Sequence, residues 1–220
     1  MNSPARLLQS PRPGRPILCL VVDRGSTRHS LPEAVAEAVA GGVDWVQLRD
    51  RELEGGHWLA WAEELASAAR SGGTGVRVLV NRRVDMALAI KADGVHLGFD
   101  AMTPLDARKL LGPEALLGVS THALAEIRAL KTGEVDYVHL APIYDPLSKA
   151  SGRPPLGLEA LAGACAAGFP VIAQGGLRPQ HCAGILGAGA AGIAVTGAIL
   201  RAASPSQATA RLRSALDQFL

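Results

Sequence analysis

The stretches Val171-Ile172-Ala173-Gln174-Gly175-Gly176-Leu177 and Ile193-Ala194-Val195-Thr196-Gly197-Ala198 each carry a short apolar run into a polar residue and then glycine. Such a run, closed by a glycine turn and followed by a helical pattern, reads as a buried strand feeding a helix. Outward from these two stretches the same alternation recurs along the chain, with strands expected over 17–23, 45–49, 77–81, 94–97, 116–120, 137–142, 171–174 and 193–196. The intervening Ala/Leu-rich stretches predict helices over 31–40, 56–70, 84–91, 104–110, 123–131, 158–167, 179–188 and 204–219. Ser30 and Thr103 can cap helices that continue with Pro32 and Pro104, and Ser204 precedes Pro205. Eight βα units predict a single-domain (β/α)8 TIM barrel, a fold of roughly 250 residues. An open doubly wound sheet would have fewer strands and a glycine-rich turn after the first, where this chain reads Asp23-Arg24-Gly25-Ser26. The expected organisation is a flexible Pro/Arg-rich tail over 1–16 and the barrel over 17–220.

Composition narrows the function classes. The 220 residues are 48% hydrophobic and 19% charged, with 25 glycines, as in a globular α/β protein. A net charge of +2 without a run of Lys and Arg gives no footprint for nucleic acid. No apolar run reaches the eighteen or so residues that a membrane helix needs, so no membrane partner is expected. Cys19, Cys165 and Cys182 form no C-x-x-C pair and read as buried free thiols of a cytoplasmic protein.

In parallel barrels the chemistry sits at the C-terminal ends of strands. There the sequence places Asp23, Gln47 with Arg49, Asn81, Ser120 with His122, Gln174 to Gly176, and Thr196 with Gly197. Gly175, Gly176, Thr196 and Gly197 follow the seventh and eighth strands, where barrels often hold phosphate. Glycine lets backbone N–H groups approach the oxygens there, with the plain alternative of a tight βα turn. His122 can act as acid or base near neutral pH, against the alternative of a cap or solvated loop residue. Gln47, Arg49 and Asn81 could contact ligand or form a buried polar network, with Arg49 paired to an acidic neighbour. His96 and His139 alternate with apolar neighbours and read as core residues. The connection over 144–155 carries Lys149 and Arg153 and could be a mobile lid.

Taken in order, Gln47-Leu48-Arg49, Asn81, Gly94-Val95-His96-Leu97-Gly98, Gly118-Val119-Ser120-Thr121-His122, Pro142-Ile143-Tyr144, Lys149, Pro155-Leu156-Gly157-Leu158, Gly175-Gly176 and Gly192-Ile193-Ala194-Val195 resemble the thiamine phosphate synthase superfamily. The resemblance spans residues 17 to 220 and implies a barrel that binds a thiazole phosphate or related ligand. One branch, the synthases, joins a pyrimidine methyl diphosphate to thiazole phosphate, with magnesium held by two aspartates. At those two positions this chain has Arg82 and Ala101, with Asp100 one residue from the second. Arg51 stands for a family lysine, and Pro146-Leu147-Ser148-Lys149 for a Thr-x-Thr-Lys.

Loss on the metal and diphosphate side, with the thiazole side kept, resembles the second branch, the thiazole tautomerases, which aromatise a thiazole phosphate carboxylate. The resemblance then implies no metal and no cofactor, with His122 catalytic. Gln47, Arg49, Asn81, Ser120 and Lys149 bind substrate, and Gly175, Gly176, Thr196 and Gly197 bind phosphate. The alternatives are a synthase that uses magnesium and a non-catalytic phosphate-ligand binder. The exposed helices could support a homodimer.

Overall fold

The computed structural model describes residues 14–27, 29–98, 100–145 and 152–219. Eight parallel strands close into a barrel in chain order: β1 (Ile17–Asp23), β2 (Trp45–Arg49), β3 (Arg77–Asn81), β4 (Gly94–Leu97), β5 (Leu116–Thr121), β6 (Tyr137–Leu140), β7 (Val171–Gln174) and β8 (Gly192–Val195). The helices around it are α1 (Leu31–Ala40), α2 (Gly55–Gly72), α3 (Val84–Ala89), α4 (Pro104–Leu111), α5 (Leu124–Arg128), α6 (Gly157–Cys165), α7 (Cys182–Gly187), α8 (Gly197–Leu200) and α9 (Pro205–Asp217). The expected (β/α)8 architecture is therefore present. Among the described residues no helix is long and apolar enough to cross a membrane.

Two-residue alternation sorts the strand side chains. Ile17, Cys19, Val21, Trp45, Leu79, Leu116, Tyr137, Ile172 and Ala194 fill the barrel interior, whereas Leu18, Leu20, Val22, Val46, Leu48, Val78 and Val80 face the helices. Trp45 and Tyr137 meet edge to face at 5.0 Å across the interior. That ring explains Gly118, where a Cβ would stand 2.2 Å from Cζ of Tyr137.

At the opposite end from the strand C-termini, one device recurs. Asp44, Asp93 and Asp136 each accept from a backbone N–H of the preceding strand, at Leu18, Val78 and Leu117. Two of these carboxylates also meet arginines, Asp44 with Arg213 at 3.0 Å and Asp136 with Arg108 at 2.8 Å. Arg213 donates to the Pro16 carbonyl as well, and Arg15 pairs with Asp217, so residues 15 and 16 are held against α9.

Several sequence expectations are corrected. Ser30 makes no side-chain cap, while Thr103 and Ser204 accept from Asp106 and Gln207 N–H groups. The sixth strand ends at Leu140 rather than 142, before a cis Ala141–Pro142 bond, and the fifth runs on to Thr121. The expected 179–188 helix is a 3-10 turn followed by α7, and α8 was not anticipated. Of the cysteines, Cys19 and Cys182 are buried but Cys165 is half-buried; all three are free. Burial raises their thiol pKa values, that of Cys182 to about 11, which keeps them protonated near neutral pH.

Candidate active site

The C-terminal ends of the strands surround an open cavity of about 460 Å³. Of the residues expected at the site, Arg49, Asn81, Ser120, His122, Gly175, Gly176, Thr196 and Gly197 all line it. Gln47 does not. It sits two residues before Arg49 on the same inward face, is 2% exposed, and its Nε2 has no partner among the described residues. Lys149 lies outside the described residues, as does the 146–151 part of the expected lid, whereas Gly152 and Arg153 line the cavity. Asp23, Arg51, Arg82 and Gln174 also face it and were not assigned as ligand-contacting residues. The rule that strand ends carry the chemistry covers Asp23, Arg82 and Gln174, and Arg51 follows two residues later.

His122 follows β5, where its backbone N–H donates to Glu126 and its Nδ1 donates to the Ala141 carbonyl at 2.7 Å. A carbonyl can only accept, so the proton resides on Nδ1 and the neutral ring keeps its lone pair on Nε2. Ser120, two residues earlier, is joined to Nε2 of His96 at 2.9 Å, and Nδ1 of His96 to the Tyr137 hydroxyl at 3.2 Å. Burial foremost, then the neighbouring His139, lowers the pKa of His96 well below the usual range, so it is neutral and holds Ser120 as a hydrogen-bond partner. His139 packs against His96 with ring centroids 4.1 Å apart and planes tilted by 40°, and donates through Nδ1 to Oε1 of Gln174. Both histidines belong to the barrel core, as expected, but each reaches one cavity-lining residue.

The loops after β7 and β8 form one wall. Gly175 and Gly176 adopt φ of 99° and 67°, a region open to glycine and costly to other residues. A Cβ on Gly176 would fall 2.3 Å from the Asp145 carbonyl oxygen. Ile143 and Tyr144 donate N–H groups to Gln174 and Gly175, fixing the start of the 144–155 connection on this wall, and Tyr144 stacks on His181 at 4.1 Å.

The cavity is also cationic. Arg49, Arg51, Arg82 and Arg153 face the cavity with Asp23 as the one lining carboxylate among the described residues. Arg49 bonds Asp23 at 2.8 Å across the β1–β2 register, so the expected acidic neighbour is real. Burial, and then the charge of Arg51, lower the pKa of Arg49, with Asp23 opposing and Arg82 adding to the repulsion. Arg82 is a non-glycine residue at φ 68°, held by an N–H bond to the His96 carbonyl, and its Nη2 meets Asp100 at 2.8 Å.

Magnesium, which the synthase resemblance implies, is usually held by one or two carboxylates together with waters and substrate phosphates. Here Asp23 and Asp100, the two carboxylates nearest the implied metal position, are each within 2.8 Å of a guanidinium, so neither is offered to a cation without a competing positive charge. These side chains do not fit a divalent cation.

A family model described as thiamine monophosphate synthase (TMP-TENI) matches residues 18–199. A protein of Azorhizobium caulinodans named thiamine-phosphate synthase is 38% identical over 209 residues, 94% of this chain and 98% of its own length. One of the same name from Moorella thermoacetica is 37% identical, covering 84% of this chain and 88% of that protein. The solved structure of thiamine phosphate pyrophosphorylase from Pyrococcus furiosus is 27% identical and superposes with a TM-score of 0.80 over 93% of this chain and 96% of that one. A 3-hexulose-6-phosphate synthase, 18% identical with a TM-score of 0.64, shares the fold. On the matched span and this level of identity, the chain belongs to the thiamine monophosphate synthase (TMP-TENI) family.

Proposed function

We propose that this chain is an enzyme of thiamine biosynthesis that binds a thiazole phosphate carboxylate and aromatises it by proton transfer, as a thiazole tautomerase. The observation that carries the reading is the Arg82–Asp100 ion pair, which closes with a guanidinium the place where the synthase resemblance implies metal-binding carboxylates. A tautomerisation needs no metal, oxidant or leaving group. One proton leaves a carbon of the ring system and one is returned at another position, so the formula is unchanged.

In this reading His122 takes and returns the proton through Nε2, because its Nδ1–H is committed to Ala141. The backbone of Gly175, Gly176, Thr196 and Gly197 receives the phosphate. Arg49, Asn81, Ser120 and Lys149 contact the heterocycle and its carboxylate, with Gln47 beneath them. The ligand is a small phosphorylated thiazole, and neither cofactor nor metal is required.

A second reading is favoured by the relatives described above, each of which carries a synthase or pyrophosphorylase name. In it the chain joins hydroxymethylpyrimidine diphosphate to thiazole phosphate, with arginines compensating the diphosphate. Purified protein given each substrate set, with magnesium and with EDTA, separates the two. Aromatised thiazole phosphate formed in EDTA, without thiamine phosphate from the pair, is the expected result. Magnesium-dependent thiamine phosphate would overturn the tautomerase assignment.

A further inference from the structure

The cavity is lopsided. Part of its lining is glycine backbone after β7 and β8, and part is guanidinium from the end of β2, the loops after β2 and β3, and the connection after β6. A ligand with only a phosphate would engage the glycine backbone and leave Arg49 and Arg82, two cations close enough to repel, without an anionic ligand group. Burying cations without anions is costly, so such a lining is stable only with partners. Asp23 and Asp100 supply part of that partnership, at Nη1 of Arg49 and Nη2 of Arg82. A guanidinium carries five N–H donors in a planar fork, so both arginines retain capacity for an oxyanion.

Arg82 is the residue whose placement is hardest to explain as packing. A non-glycine side chain in the left-handed region costs on the order of 1 kcal/mol or more and persists only where its surroundings fix it. Here the His96 carbonyl fixes its N–H, and the Arg83 N–H returns to the Asn81 carbonyl at 2.8 Å. The turn aims the guanidinium at the cavity, and Asp100 sets its plane from the next loop.

Resting on the phosphate reading above, we propose that Arg82, with Arg49 beside it, forms a second oxyanion subsite distinct from the glycine backbone, which takes the other anionic group of the ligand without a divalent cation. Asp100 is its positioning residue. Two chemistries could supply that oxyanion, a carboxylate on the thiazole ring or the diphosphate of a pyrimidine, and the test has one arm for each.

Calorimetric titration of the full chain in EDTA would use thiazole phosphate, the same compound bearing the ring carboxylate, and the pyrimidine diphosphate. The carboxylated thiazole is expected to bind at least about tenfold more tightly than the plain one, the size of one charge-assisted contact. In Arg82→Gln that ratio falls to about one, and Arg82→Lys recovers part of it, with unfolding midpoints confirming that both variants fold. A pyrimidine diphosphate that binds in EDTA and is lost in Arg82→Gln supports the same subsite and assigns its occupant to the diphosphate. A carboxylate gain that persists in Arg82→Gln, or diphosphate binding that is unchanged there, overturns the subsite. Tight binding of thiazole phosphate with no gain from the carboxylate, together with no diphosphate binding, overturns the subsite and leaves the phosphate reading intact. Binding of no probe overturns both.

Discussion

His122 illustrates how one backbone atom can select a side chain's chemistry. With Nδ1–H donating to Ala141, the ring cannot present a second N–H to the cavity while neutral, so in the proposed reaction it would meet substrate as a base. For turnover of the thiazole carboxylate, His122→Gln is expected to lower kcat by about 10²- to 10⁴-fold, the usual contribution of a positioned acid–base group. Steady-state kinetics on a variant with an unchanged unfolding midpoint would check it, and a kcat within a few fold of the parent would remove His122 from the reaction. At this scale the sequence was informative wherever a polar residue closed a strand, as with Arg49, Asn81 and Ser120. It was less so for Gln47, since alternation gives the face of a strand but not how deep in the barrel a residue sits. Arg82 was visible as a departure from a family pattern, yet its left-handed turn and its pairing with Asp100 depend on two loops distant in sequence.

The strands were legible because each is a short apolar run between breakers, and register in a closed barrel leaves little freedom at their starts. The helices were less so: α3, α5 and α7 are one or two turns long, and their ends are decided by packing that periodicity does not encode. The aspartates below the strands are an element-scale feature that residue-by-residue reading passes over. Asp136 accepts the Leu117 N–H at 2.7 Å and meets Arg108 at 2.8 Å, which ties β5, β6 and α4 together. Its side chain is 10% exposed and that of Arg108 22%. Removing the carboxylate would leave a strand N–H and a half-buried cation without their acceptor. Asp136→Ala is therefore expected to cost about 2–3 kcal/mol in denaturant unfolding, below the full cost of breaking a wholly buried pair because Arg108 retains solvent and two backbone carbonyls. A loss under about 0.5 kcal/mol would show that strand pairing alone holds this end of the barrel.

The whole barrel carries a pH dependence set by what it buries. The rings of His96 and His139 meet at 4.1 Å in its interior, and burial is the first cause of both lowered pKa values, with that of His139 near 4 against an ordinary value of 6.5. Between those values the unfolded chain binds a proton that folded His139 refuses, and folded His96, lowered well below its ordinary value, refuses one over the same range. Stability is thus intact above about pH 6.5 and declines as the pH falls, with a slope of up to about 1.4 kcal/mol per pH unit for each histidine. The decline from His139 levels off below about pH 4, where the folded state also takes up its proton. Half-buried His181 is lowered as well and adds a smaller share at the rim. Carboxylates held low by hydrogen bonds, such as Asp50 and Asp85, enter only below about pH 4, so the two windows are separable. Urea midpoints measured at half-unit steps from pH 7.5 to 4 are expected to fall steadily, and His139→Gln should flatten the slope by one histidine's share whatever its stability at pH 7.5. Parallel curves for parent and variant would assign the acid sensitivity to groups outside the barrel interior, and would mean that the buried histidine pair takes up protons in the folded state more readily than its burial implies.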